Sequence, residues 1–212
     1  MVDLSSKEQH ALRDLYCNLM IEVRERIDII HDISQGRYRL PKLAGYELCY
    51  LQFRLICELI ALSALAAHGD IQGTKSGRLP KSYEADFILN TLEKLHPDFY
   101  PIPSTQVHDA HGRVIQVDPI KSGFLTKKEL IALYHQTGDL LHRGTMRNYK
   151  PRTAGDFRKI SETVSKIVTL LNHHQIQLSH PDYQLWVVMR GKGDGLVHAS
   201  VFQKFEGPPP TD

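Results

Sequence analysis

The stretch YHQTGDLLHRG (134–144) places His135, Asp139, His142 and Arg143 within about three helical turns. An imidazole moves protons near neutral pH, a carboxylate orients it, and a guanidinium stabilises charge on a phosphate. In that reading His142 is the general base or acid of a metal-independent ribonuclease. Arg143 holds the phosphate, and His135 or Asp139 orients the ring. Angular placement supplies a plainer reading of the same residues. Leu130, Tyr134 and Leu141 define the inward face, and His135, Asp139 and His142 fall roughly 120–180° away, where a helix meets water. His142 and Arg143 also complement the negative C-terminal end of the helix, and Gly144 suits its C-cap. Just beyond, RGTMRNYKPR (143–152) gathers Arg143, Arg147, Lys150 and Arg152 around Tyr149, a basic patch suited to contacting nucleic acid.

A second charged group lies on residues 43–67. Glu47, Arg54 and Glu58 occupy a sector of roughly 40° on a helix otherwise made of Leu, Ile, Phe, Cys and Ala. Charges in such a place must be paired or wet. The stripe is therefore an internal ion pair that fixes helix register, or the polar lining of a small-ligand site. Arg26, beside the apolar stripe of the first helix, is within reach of joining it.

Five helical segments position these groups. Residues 4–34 and 43–67 carry long apolar periodicities, the second ending at Gly69. Residues 71–82 are rich in Gly, Ser and Lys and read as a mobile loop; a third helix runs from Ser82 or Tyr83 to Leu95. Thr126 and Glu129 have capping-box spacing and open a fourth helix that ends at Gly144. The fifth runs from about Asp156 to Gln177, with His173 and His174 on its surface. A short hairpin is expected around DAHG (109–112), and a stronger one in YQLWVVMR–GKGDG–LVHASVFQKF. His108, Asp109 and His111 fit turn chemistry better than a metal set, and no metal site is assigned. The fold class is mainly α: a helical bundle of about five helices with a short internal β-hairpin and a C-terminal β-hairpin. The expected organisation is a bundle over 1–180, a hairpin over 181–206 packed on the bundle or on a dimer partner, and a disordered tail over 207–212.

With 26 basic and 24 acidic residues the net charge is +2, which argues against a dedicated electrostatic nucleic-acid binder. Cys17, Cys49 and Cys57 are odd in number and sit in apolar runs, so they read as small hydrophobes in a reducing compartment. MVDLSSKEQH lacks a basic-then-apolar pattern, and the most apolar window, 48–67, contains Arg54 and Glu58. A cytoplasmic protein without membrane contact is expected. No Walker, Rossmann, HExxH or CxxC pattern calls for a cofactor, and none is assigned.

The long paired helices, the run LQFRLICELIALSALAAHGD (51–70) and the later YHQTGDLLHRG resemble the HEPN superfamily across residues 4–178. That resemblance implies a helical bundle of prokaryotic or phage conflict systems, working as a homodimer. Its ribonuclease members carry Arg, then four to six intervening residues, then His, late in the bundle. Here Arg24 and Arg26 match that spacing to His31 in the first helix, whereas His135 takes the arginine's place before His142. The preferred reading is a HEPN-like binding or assembly module contacting RNA or a protein partner. The ribonuclease at His142 and Arg143 and the small-ligand protein at Glu47, Arg54 and Glu58 are its rivals.

Overall fold

The computed structural model describes residues 6–75, 77–142 and 150–204. Helix α1 (Ser6–Ser34) and α2 (Lys42–Ala67) pack along each other, followed by α3 (Ala85–Leu95), α4 (Lys127–Leu141) and α5 (Phe157–Leu171). The strands are β1 (Ile102–His108), β2 (Val114–Pro119), β3 (His173–Gln177), β4 (Tyr183–Val188) and β5 (His198–Gln203). The chain is mainly α, as its periodicities indicate.

Tyr16, Met20, Val23 and Ile30, at intervals of four, three and seven residues on one face of α1, are buried, as are Phe53, Ile56, Cys57 and Ile60 of α2. By length and composition α2 is apolar enough to cross a membrane, yet here most of it lies inside the bundle. Cys49 and Cys57 are buried and Cys17 is half-buried, all as free thiols. The capping box forms. Thr126 Oγ1 accepts from the Glu129 amide at 3.3 Å while Glu129 Oε2 accepts from the Thr126 amide at 2.9 Å. Lys166 of α5 reaches Glu129 Oε1 at 2.6 Å, which ties the start of α4 to its neighbour. That ammonium, with the Thr126 amide and hydroxyl, brings the Glu129 carboxyl down to about 2.

The strands are joined more closely than two accessory hairpins. They form one antiparallel sheet in the order β2-β1-β3-β4-β5, with β3 at its centre. The fifth helix therefore ends at Leu171 rather than near Gln177, and His173 and His174 belong to a strand. In HHQIQ, His174 and Ile176 turn inward and are fully buried, while Gln175 and Gln177 are half-buried on the other side. This period-two demand overrides the helical one. The expected boundary at 180 falls in the turn between β3 and β4.

Three further boundaries move. Residues 79–81 form a 3-10 turn and α3 starts at Ala85, leaving Tyr83 two-thirds exposed. The segment expected to be a mobile loop contains a second 3-10 turn, Gln72–Thr74, and buries Thr74 and Leu79. Helix α4 stops at Leu141 with His142 as its C-cap; the expected cap, Gly144, and the tail 207–212 lie outside the described residues. Around DAHG, Asp109 accepts from the amides of His111 and Arg113 at 2.9 and 2.8 Å, so turn chemistry occupies its carboxylate.

The β4–β5 connection is docked on the bundle. Arg24 Nη1 of α1 donates to the carbonyl of Gly195 at 2.7 Å and to that of Met189 at 3.2 Å, and Arg190 pairs with Asp28 at 3.2 Å.

Candidate functional site

Two of the three stripe residues on α2, Arg54 and Glu58, lie on the side of α4. Arg54 Nε meets Glu58 Oε1 at 3.2 Å, its Nη2 donates to the Tyr134 hydroxyl at 2.9 Å, and its carbon lies 4.5 Å from the centre of the Tyr134 ring. Spacing of four residues brings acid and base together on one turn, and the tyrosine supplies both an acceptor and a π face. Burial pushes the Glu58 carboxyl above its usual range, opposed by Arg54 and Arg26. Burial likewise raises the Tyr134 phenol, against the pull of Arg54. A guanidinium so engaged is a strut between helices. Glu47, one turn or two earlier, is half-buried on the same helix. Arg26, whose charge acts on Glu58 beside that of Arg54, hydrogen-bonds Glu22 of its own helix and donates to Gln52 Oε1 at 3.0 Å.

The outer side of α4 is as exposed as its wheel predicts. His135, Asp139 and His142 all face water, and no hydrogen bond or ion pair joins any two of them among the described residues. His135 Nε2 instead lies 3.4 Å from Asp86 Oδ2, at the start of α3. The basic patch is only partly in view, because Arg143 and Arg147 lie outside the described residues. Lys150 is exposed. Arg152, the remaining residue of the patch, lies against α4. Its guanidinium folds back on the end of α4, donating to the carbonyls of Leu140 and His142 and, at 3.1 Å, to that of Asp139. It satisfies the unpaired carbonyls that terminate a helix.

Neither Arg24 nor Arg26 is brought to His31. Arg24 holds the β4–β5 turn, Arg26 holds α2, and His31 contacts Gln35. The family-like spacing builds no common site.

Sequence reasoning missed the sheet. Its inner face carries His174, Ile176, Leu185 and Val187, all buried. Tyr16 of α1 reaches His174 Nε2 at 2.6 Å there. Residues opposite one another share a face, so the outward side presents Ile102, Ser104 and Gln106 of β1 beside His173, Gln175 and Gln177 of β3. Gln184, Trp186 and Val188 of β4 and His198, Ser200 and Phe202 of β5 continue it, with Val117 of β2 at the far edge and His108 at the end of β1; Asp194 pairs with His198 and Lys192 lies 3.1 Å from His108. Of the strand residues on this side, none is Asp, Glu, Lys or Arg, in a chain that is 24% charged. The face is open: Ile102 is 41% and Phe202 48% exposed, while Gln175, Trp186 and Val188 are half-buried.

The face is also ordered by its own contacts. His173 Nδ1 lies 2.8 Å from Ser104 Oγ and its Nε2 lies 3.1 Å from the Gln106 amide nitrogen. The Trp186 indole donates to Gln184 Oε1 at 3.0 Å, and its ring meets Phe202 at 4.7 Å between centroids. Ser104 and His173 are nearly covered, at 4% and 6% exposure, so their pairing braces the sheet rather than presenting a nucleophile. Burial draws the His173 imidazole below its usual range. The signal available in sequence was the alternation in HHQIQ and YQLWVV, which puts Gln and Trp on one side and Ile, Leu and Val on the other.

Comparisons of the chain with protein-family models, with curated proteins and with solved structures give no match.

Proposed function

We propose that this chain is a binding and assembly module of the HEPN-like kind, working as a homodimer with RNA or protein as partner, and not a nuclease. The observation that carries the reading is the open outer face of the sheet, whose strands turn no Asp, Glu, Lys or Arg onto it and which sets Trp186 and Phe202 side by side. Aromatic enrichment with depletion of charge is the compositional mark of an interface core. Groups that suggested the other functions support the same reading by being otherwise engaged: His135, a catalytic candidate, with Asp86, Arg54 of the ligand stripe as a strut, and Arg152 of the basic patch as a helix cap.

The rival ribonuclease draws on His135, Asp139, His142 and Arg143, and the small-ligand reading draws on the stripe containing Arg54 and Glu58. Incubation of the purified chain with labelled RNA in EDTA separates the first from the proposal. No cleavage is expected from wild type or from His142→Ala. Cleavage by wild type that disappears in His142→Ala would establish the nuclease and end the proposal. Arg54 commits its Nε to Glu58 and its Nη2 to Tyr134, engagements that support the strut over the ligand site.

A further inference from the structure

We propose that a cavity at the turn between α1 and α2 binds a small organic anion, a compact apolar body carrying one carboxylate. Its lining residues belong neither to the Arg54–Glu58 stripe nor to the sheet, and the site does not depend on the assembly reading.

The chain leaves α1 at Ser34, turns at Gly36 with φ of 71°, and re-enters a helix at Lys42. Glycine takes that left-handed backbone without strain. Between this turn and the start of α5 lies a hollow of about 240 Å³. Ile33, Leu40 and Phe157 give it an apolar wall, and Tyr38 and Lys42 bring polar groups. The wall is fixed from behind, where the Phe157 ring meets Tyr46 edge-on at 5.7 Å between centroids. A Cβ at Gly45 would stand 3.3 Å from Ile33 Cγ2 and 3.9 Å from Leu40 Cβ, so glycine keeps that part of the floor clear.

Charge selects the occupant. Asp32 and Asp156, the acids flanking the lining segments, are each held by an arginine: Arg37 at 2.6 Å and Arg158 at 2.8 Å. The first turn of α2 contains no acid, and no side chain caps it. Lys42 makes no ion pair or hydrogen bond among the described residues, and neither does Arg39 next to Leu40. An oily hollow with an unopposed ammonium in its lining is complementary to an anion with an apolar body. One ammonium, a point charge rather than a bidentate fork, suits a single carboxylate. An enclosed cavity of about 150 Å³ takes benzene, so this hollow has room for a phenyl ring with a short carboxylate arm, or an alkyl carboxylate of about eight carbons. A ligand of that size is expected to dissociate at about 0.1–1 mM.

Two-dimensional NMR of the full labelled chain, titrated with phenylpropionate or octanoate to about 10 mM, tests the site. Phenylpropanamide is the uncharged counterpart. Saturable shifts are expected at Ile33, Leu40, Gly45 and Phe157. Lys42→Gln should weaken binding of phenylpropionate by about fivefold, and raised salt should act in the same direction. Neither should alter the weaker binding of the amide. Leu40→Asp sets an acid on the wall at a position 42% exposed, and should abolish binding of both carboxylates. Both substituted side chains face water, and resonances far from the turn report that each variant is folded. No saturable shift at these four residues with either carboxylate overturns the site, as do shifts confined to other surfaces. Equal affinity for phenylpropionate and its amide, unchanged in Lys42→Gln, overturns the assignment to anions.

Discussion

Acidification should unfold this protein partly through one imidazole. His174 lies wholly inside the fold, with Nδ1 2.8 Å from the Leu171 carbonyl and Nε2 2.6 Å from the Tyr16 hydroxyl. A carbonyl only accepts, so Nδ1 carries the proton and Nε2 accepts from the phenol. The neutral ring is satisfied on both sides. A second proton would break the Tyr16 bond and place a charge in the core. Burial draws the pKa from 6.5 down to about 4; the Leu171 carbonyl opposes the shift and neighbouring His173 adds to it. Between those two pH values the unfolded chain takes up a proton that the folded chain refuses, so stability falls as pH falls through that window. At about 1.4 kcal/mol per unit, a gap of about 2.5 units removes roughly 3 kcal/mol by pH 4. That is a large fraction of the stability of a domain this size. Urea unfolding in steps from neutral pH to about pH 4 measures the loss, and His174→Gln isolates it from His68 and His173, whose pKa values burial also lowers. The variant should be less stable at neutral pH and show a shallower decline on acidification. Equal pH dependence in both proteins, or an imidazole resonance of His174 titrating near its ordinary value in the folded chain, would refute the reasoning.

Two other perturbations address the helices. Arg54→Ala should cost about 2 kcal/mol, less than for a fully buried pair because both partners retain some solvent contact, and Glu58→Gln in the same chain should recover part of it. A thermal or urea measurement showing under about 0.5 kcal/mol for Arg54→Ala would remove the strut from the account. Thr126→Ala should cost about 1 kcal/mol by opening the capping box at the start of α4, and the cost should shrink as pH falls towards 2, where Glu129 becomes protonated. A variant equally destabilised at every pH would separate the cap from the carboxylate.

What could be read in the sequence was local. The Thr126–Glu129 box, the angular position of His135 on α4 and the engulfment of α2 each follow from residues within a turn or two of one another. What could not be read was set by contact at a distance. His135 finds Asp86 on another helix, and Arg152 reaches back ten or more residues to cap α4. Neither pairing leaves a periodic trace. The error at 172–177 has a different origin. Five residues cannot distinguish a strand from the last turn of a helix when apolar side chains fit both periods, and only the neighbours β1 and β4 decide it. Missing β3 meant missing the sheet, since β3 is what joins the two hairpins.

The same sheet explains why its face, rather than its edge, is the surface to probe. Exposed strand edges invite uncontrolled pairing, and folded proteins blunt them. Both edges here are blunted: β5 is six residues long and runs directly into Lys204, and the β1–β2 ladder is broken by a shift between Val107 and His108. The face shows the opposite treatment. A water-facing antiparallel sheet ordinarily alternates towards charged side chains, yet β3 and β4 turn His173, Gln175, Gln177, Gln184, Trp186 and Val188 outward. Charge is plentiful elsewhere, as struts and caps on the helices: Arg54 with Glu58, Lys166 with Glu129, Arg190 with Asp28. The ionisable groups that do reach this plane, His198 with Asp194 and Lys192 with His108, sit towards the end at which β4 turns into β5, and the middle of the plane is left to Gln175, Trp186 and their neighbours.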